Sequence, residues 1–309
     1  MIVTLTPNPS IDRTVQLSSP LERGGVVRSV TTRDEAGGKG INVAQVVRNG
    51  GEQALAVLPG DDDDPLVQRL RNSGLPHLAV PLGAPLRVNL TLAEDDGTTT
   101  KINAPGPALA APVIERLEAL LAEQSATASW AALCGSLPPG VPDDWYGRTA
   151  ERLEAPVALD TSGAALSAAV DRAPERIALI KPNSDELGEL MSIAPTEFEG
   201  DPKVAGERAR PLLERGIGAI LLTLGARGAL LISTEAVWEA QAPRITARST
   251  VGAGDSSLAG FLLGSLRGED PAGCLALAVA YGSAAASLPG SRMPAPADLP
   301  ALPSVRRVA

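Results

Sequence analysis

Six short uncharged runs, Ile2–Leu5, Ala54–Leu58, Ala131–Leu133, Val157–Leu159, Ile177–Ile180 and Ala219–Thr223, punctuate a chain of 309 residues. Runs this short that are apolar on both faces suit strands buried between two layers. Helical patterns lie between them at Ile41–Arg48, Pro65–Asn72, Val113–Glu123 and Pro202–Arg215. Strand and helix alternating on this scale predict a three-layer α/β/α fold around a mostly parallel sheet. Aromatic residues make up only 2% of the chain, so the core must be built from Ala, Val, Leu and Ile.

Four segments break that rhythm. Asp12–Leu17 and Val26–Thr32 read as strands, and Arg87–Ala93 alternates strictly before the turn Asp95-Asp96-Gly97 and the run Thr98–Ile102. A period of two puts Arg87, Asn89 and Thr91 on one face and Val88, Leu90 and Leu92 on the other. These pieces predict a small β-sheet lid, formed by segments at about 12–33 and 86–103 inserted into one domain spanning residues 1–309. Its exposed edges offer a surface for a homodimer. Pro271–Ser291 carries no charge, but its Ala, Gly and Ser content and Pro289 favour a buried helix over a membrane span. The Pro/Ala stretch from Pro294 reads as a surface tail.

Charge and rare residues narrow the chemistry. A net charge of −9 without a long basic cluster argues against nucleic-acid binding, and no segment favours a membrane. Two cysteines, Cys134 and Cys274, and an N-terminus without a leader pattern point to a cytoplasmic protein. A single histidine, His77, argues against multi-histidine metal sites and leaves acid–base work to carboxylates or lysines. The acidic run Asp61–Asp64 precedes a helical pattern and reads as a solvated helix cap.

The strongest local feature is Val251-Gly252-Ala253-Gly254-Asp255-Ser256, which leads into the apolar helix Leu258–Leu266. Glycines before a helix let amide N–H groups converge on an anion, and the helix dipole reinforces that field. Asp255 in the first turn has two readings, a general base beside a phosphoryl group or a cap for the helix amides. A dinucleotide fingerprint fails because Ser257 occupies its third glycine position and no opening βαβ unit precedes it. Gly37-Gly38-Lys39-Gly40 fails as a P-loop, because Arg33 stands at the first glycine position and Gly40 follows the lysine. It still combines close backbone approach with a positive charge at a helix start.

The stretches GGKGINVA at Gly37–Ala44 and VGAGDS at Val251–Ser256, in that order, resemble the two signatures of the ribokinase-like pfkB carbohydrate kinases. Leu5–Asp12 (with TPNPSID), Cys134–Val141 (CGSLPPGV), Lys181–Glu186 (KPNSDE) and Leu222–Ala229 (LTLGARGA) resemble further elements of that family. TPNPSIDRT, Lys39, Arg87-Val88-Asn89 and TTTKINAPGP at Thr98–Pro107 resemble its bacterial fructose-1-phosphate kinases in particular. Where many relatives end that hairpin with KINEPG, this chain has Ala104.

The resemblance implies ATP as phosphoryl donor, Mg²⁺, and a phosphosugar as acceptor. Asp12, Gly38, Lys39, Asn42, Arg87, Asn89 and Ser136 would line the phosphosugar site. Lys181, Asn183, Thr223, Gly225 and Gly228 would contact ATP, with Asn183 and Glu186 organising Mg²⁺ through water. Gly252, Ala253 and Gly254 would stabilise the γ-phosphoryl group while Asp255 takes a proton from the sugar hydroxyl. Phosphorylation of fructose 1-phosphate at C6 is the implied reaction, with tagatose 6-phosphate or fructose 6-phosphate as alternative acceptors. A non-catalytic sugar-phosphate sensor is the alternative from another class.

Overall fold

The computed structural model describes residues 1–309. Its strands, in chain order, are β1 (Ile2–Leu5), β2 (Ser10–Leu17), β3 (Ser29–Gly37), β4 (Ala54–Pro59), β5 (His77–Val80), β6 (Arg87–Ala93) and β7 (Thr99–Ile102). They continue with β8 (Trp130–Cys134), β9 (Val157–Asp160), β10 (Ile177–Ile180), β11 (Ala219–Thr223), β12 (Ala229–Ser233), β13 (Val237–Ala240) and β14 (Val305–Arg307). The helices are α1 (Lys39–Asn49), α2 (Pro65–Ser73), α3 (Ala111–Ser125), α4 (Trp145–Ala150), α5 (Gly163–Arg172), α6 (Ser184–Met191), α7 (Thr196–Glu199), α8 (Pro202–Glu214), α9 (Ala253–Leu266) and α10 (Pro271–Ser287).

The large sheet has ten strands in the order β14-β13-β12-β11-β10-β9-β8-β1-β4-β5. All six expected runs are in it, and the pairings from β5 across to β11 are parallel. The chain starts inside the sheet, third from the β5 edge, and β1 is flanked by β4 on one side and β8 on the other. This reversal of strand order opens a crevice at the carboxyl ends of the strands, where ligands bind in open α/β sheets.

Alternate residues of each strand enter two cores, one on either face of the sheet. Val3, Leu5, Leu133 and Leu159 meet Leu117, Leu121 and Trp145 on one side. Ile2, Ala132 and Ala158 meet Val43, Leu258, Leu262 and Leu275 on the other. Each fully buried Leu or Ile among them contributes about 1.5–3 kcal/mol.

Helices α9 and α10 are apolar around most of their circumference because both lie inside the second layer. They approach closely through small residues. A Cβ at Gly260 would stand 2.5 Å from the Leu277 carbonyl oxygen. The uncharged stretch is therefore an internal helix, and no helix is long and apolar enough to cross a membrane. This packing fixes the start of α9 over the sheet crevice.

Several segments differ from the sequence reading, among them the lid strand expected at Val26–Thr32, which runs over Ser29–Gly37 because it pairs along the whole of β2. The stretch from Pro294 is no tail: its end pairs as β14 with β13, and Val237 donates to the Ala309 carbonyl at 2.9 Å. The unpaired edge of β13 supplies the missing hydrogen bonds that a Pro-rich segment cannot make locally. β12 and β13 form an antiparallel extension, and β5 adds the far edge. The acidic run is only partly solvated. Asp64 is buried, caps α2 through Leu66 N at 2.8 Å and holds Leu86 N at 3.1 Å, while Asp61 holds Leu82 N and Gly83 N.

The second sheet has four strands in the order β3-β2-β6-β7. Its β2–β6 pairing is parallel and sets Ser10 opposite Arg87 and Asp12 opposite Asn89. One polar row therefore runs along the inner face. The outer face leaves Val88 (41% exposed), Val30 (62%) and Ile102 (55%) open to solvent.

Candidate active site

Asp255 stands in the first turn of α9, three residues after Gly252, whose left-handed backbone (φ 73°) begins the helix. The carboxylate is buried and accepts one hydrogen bond from Asn42 Nδ2 at 2.7 Å. Burial and the nearby Asp160 charge push its pKa up to about 6, against the opposing pull of Lys39, Asn42 and Lys181. The Asp255 side chain bonds Asn42 and none of the α9 amides, so it does not act as the helix cap. The Gly252 and Gly254 amides stay free to meet an anion, while Ala253 N makes only a long bond of 3.4 Å to the Thr250 carbonyl.

Asn42 comes from α1, which begins at Gly38 with φ 132°, a conformation that disfavours any side chain. A Cβ there would also stand 2.6 Å from Thr6 Cγ2. The same helix start projects Lys39, whose ammonium pairs with Asp160 Oδ1 at 2.7 Å. Lys181 Nζ lies 3.2 Å from the other oxygen of Asp160. Burial alone would push the Asp160 carboxyl up and the Lys39 ammonium down. Lys181 and Lys39 together outweigh it for Asp160, and the surrounding carboxylates outweigh it for Lys39, so both groups are held charged. A fully buried carboxylate between two lysines is stable only because it is paired twice.

Lys181 also reaches the anion loop: a Cβ at Gly254 would sit 3.2 Å from its Nζ. Two ammonium groups, a buried carboxylate and the free amides of Gly252 and Gly254 thus meet at one helix start. That arrangement can take a proton and hold anionic oxygens in the same place.

The lid builds the other wall. Asp12 Oδ1 accepts from Ser10 Oγ at 2.7 Å and from Asn89 Nδ2 at 3.1 Å, leaving Oδ2 without a hydrogen-bonding partner. Arg87 does not project freely. Its guanidinium donates to the Ala104 carbonyl at 2.9 Å and the Asn8 carbonyl at 2.8 Å, and burial lowers its pKa despite Asp12 nearby. Ser136, exposed in the turn after β8, accepts a hydrogen bond from Asn8 Nδ2 at 3.3 Å.

The remaining residues lie beyond Lys181. Asn183 Oδ1 accepts from Glu186 N at 2.8 Å, and Glu186 Oε2 accepts from Asn183 N at 3.0 Å, a reciprocal cap at the start of α6. Asn183 forms an isolated parallel bridge with Thr223, which carries the edge on into the turn Gly225–Arg227 and Gly228. No hydrogen bond joins that turn to the Asp255 cluster. Glu186 keeps Oε1 without a hydrogen bond, and no group of three or more acidic, His or Cys side chains is set to hold a metal. One free carboxylate oxygen suits a cation that keeps most of its water shell.

Asp160 and Asn8 are the two residues missed by the sequence reading. Asp160 had a signal, a carboxylate ending an apolar run just before Thr161-Ser162-Gly163. Asn8 lay inside a quoted motif with nothing to distinguish it from its neighbours.

The pattern of the pfkB family carbohydrate kinases matches residues 5–298. The 1-phosphofructokinase of Xanthomonas campestris pv. campestris is 36% identical over 266 residues, covering 84% of this chain and 82% of that protein. Phosphofructokinase-2 of Escherichia coli, solved in complex with fructose-6-phosphate, superposes with a TM-score of 0.84 at 29% identity and 96% coverage of both chains. That enzyme has also been solved in a tetrameric inhibited form. The ribokinase of Thermotoga maritima, at 19% identity, shares the fold with a TM-score of 0.78, covering 96% of this chain and 97% of that one.

Proposed function

The chain belongs to the pfkB family of carbohydrate kinases, phosphotransferases with an alcohol acceptor, and from that premise we propose that it phosphorylates fructose 1-phosphate at C6. The products are fructose 1,6-bisphosphate and ADP. The observation that carries this reading is the buried Asp255 at the start of α9, near the free amides of Gly252 and Gly254 and two lysines.

Asp12 and Asn89 hold sugar hydroxyls, while Lys39, Arg87 and Ser136 meet the phosphate already on the sugar, with Gly38 and Asn42 lining the site. Lys181, Asn183, Thr223, Gly225 and Gly228 contact ATP. Asp255 takes the C6 hydroxyl proton as that oxygen bonds to the γ-phosphorus and the bond to ADP breaks. Gly252, Ala253 and Gly254 supply amides to the oxygens that gain charge. Glu186, oriented by Asn183, would hold Mg²⁺ through water, and the ion would neutralise charge on the phosphates. Closing the lid keeps water from competing with the sugar.

Fructose 6-phosphate and tagatose 6-phosphate are the second reading, favoured by the likeness to an enzyme solved with fructose-6-phosphate. An ADP-release assay across the three sugars separates them. Turnover highest with fructose 1-phosphate is expected, and equal or better turnover with a 6-phosphate removes the assignment. The exposed apolar row of the lid supports a homodimer built through that face, in the cytoplasm.

A further inference from the structure

Asn8 is buried (5% exposed) in the loop that carries the chain from β1 in the large sheet to β2 in the lid. Its side chain makes two hydrogen bonds, both as donor: Nδ2 to the Pro105 carbonyl at 3.0 Å and to Ser136 Oγ at 3.3 Å. A carbonyl only accepts, so the amide can face Pro105 only with its nitrogen. Its backbone carbonyl accepts from Arg87 at 2.8 Å. One residue therefore touches the lid strand, the hairpin end and the turn after β8.

Two consequences follow for the phosphate end. Ser136 Oγ uses a lone pair on Asn8, has no protein acceptor for its own proton and is exposed, so its O–H is left to donate to a ligand oxygen. Arg87 is pinned between Asn8 and Ala104, with its stem against Gly106. At that corner Asn8 Oδ1 and Arg87 Nε are buried without partners. A Cβ at Gly106 would stand 2.2 Å from Asn8 Oδ1 and 3.4 Å from Arg87 Cδ, so both atoms crowd one glycine. Buried groups left unpaired mark a corner arranged for a bound group rather than for its own stability.

We propose that Asn8 is a positioning residue for the phosphate of the sugar substrate, turning the Ser136 hydroxyl outward and fixing Arg87 beside it. The proposal rests on the phosphosugar reading above. It concerns the donor character of one amide. Asp at position 8 keeps the shape, turns an oxygen toward the Pro105 carbonyl, draws the Ser136 proton inward and sets a negative charge beside the phosphate.

The test uses the full chain and the phosphosugar turned over best by the unaltered protein in the ADP-release assay. KM and kcat are measured for Asn8→Asp, Asn8→Ala, Ser136→Ala and the Asn8→Ala/Ser136→Ala pair, with KM for ATP and Tm alongside. Asn8→Asp should raise the phosphosugar KM roughly 100-fold and Asn8→Ala roughly tenfold, with KM for ATP and kcat held within about threefold. The double variant should fall short of the product of its two single effects, because Asn8 acts partly through Ser136. Phosphosugar KM unchanged in Asn8→Ala, a parallel rise in KM for ATP, or fully multiplicative effects would each overturn the proposal. If Asn8→Asp does not fold, Asn8→Ala and the double variant decide the matter. An unaltered protein that turns over no phosphosugar fails at the earlier step, separates the two failures and removes this proposal with it.

Discussion

The two walls of the site are built on opposite physical terms. The floor, made by strand ends and the start of α9, holds Asp160, Lys181, Asp255 and Asn42 almost wholly away from water. The lid exposes most of β3 and an apolar row at Val30, Val88 and Ile102, and its polar residues face inward through hydrogen bonds. Charges in the floor interact strongly because little solvent screens them, and they cannot rearrange without breaking two cores. The lid has little core of its own, with five of the nine β3 residues exposed. On the function proposed above, phosphoryl chemistry would sit where geometry is rigid and recognition of the sugar on the more open wall.

The largest effect should come from the floor. Asp255→Asn should lower kcat by roughly 10²–10⁴ while leaving the phosphosugar KM nearly unchanged, as a steady-state assay will read. The same variant sharpens the electrostatic side of the contrast. A carboxyl whose folded pKa is raised to about 6 costs stability as pH rises from the ordinary carboxylate range through 6, because the folded state holds its proton longer. Asp255→Asn should remove that slope and raise Tm at pH 8, and an unchanged Tm–pH curve would count against a buried ionised base. In the unaltered protein kcat/KM should fall as pH drops through about 6, where the base is protonated.

Asp160→Asn comes next. It leaves the buried Lys181 and the half-buried Lys39 ammonium groups without their shared carboxylate and should cost about 3 kcal/mol in urea unfolding. Since the Asp160 charge helps to raise the Asp255 pKa, the acid limb of any remaining activity should move to lower pH. A limb that stayed in place would break the coupling between these two carboxylates.

On the lid, Arg87→Ala should raise the phosphosugar KM roughly tenfold or more with kcat much less affected. An equal loss in kcat would show that the lid residue belongs to the rigid chemistry after all. Smallest of all, Val30→Lys with Ile102→Lys should change stability by less than about 0.5 kcal/mol, since both positions are exposed. Light scattering should meanwhile report a smaller particle if copies of the chain meet through that face.

Legibility in the sequence divided along similar lines. The six apolar runs and the helix from Leu258 were plain because burial on both sides writes itself as uninterrupted aliphatic sequence. β14 was not, because three residues after a Pro-rich stretch become a strand only when the edge of β13 lies beside them. Asp61–Asp64 was read correctly as a cap but not as the clamp on residues 82–86, since those contacts join segments more than twenty positions apart. Arg87 was legible as a candidate cation, whereas its pinning by two backbone carbonyls was not.

What the sequence determined by itself was the layering, the order of the motifs and the presence of a carboxylate at the start of an apolar helix. Those are local properties, set by periodicity and by residues within a turn of one another. Tertiary structure alone decided that Asp255 is free of capping and held by Asn42, 213 positions earlier, and that Lys39 meets Asp160 across 121 positions. It also decided that Asn8 joins three segments at the corner beside Arg87 and Ser136. The reason is that a pKa near 6 and a directed hydroxyl depend on which charges and donors share one buried volume, and only the packing of distant strand ends settles that.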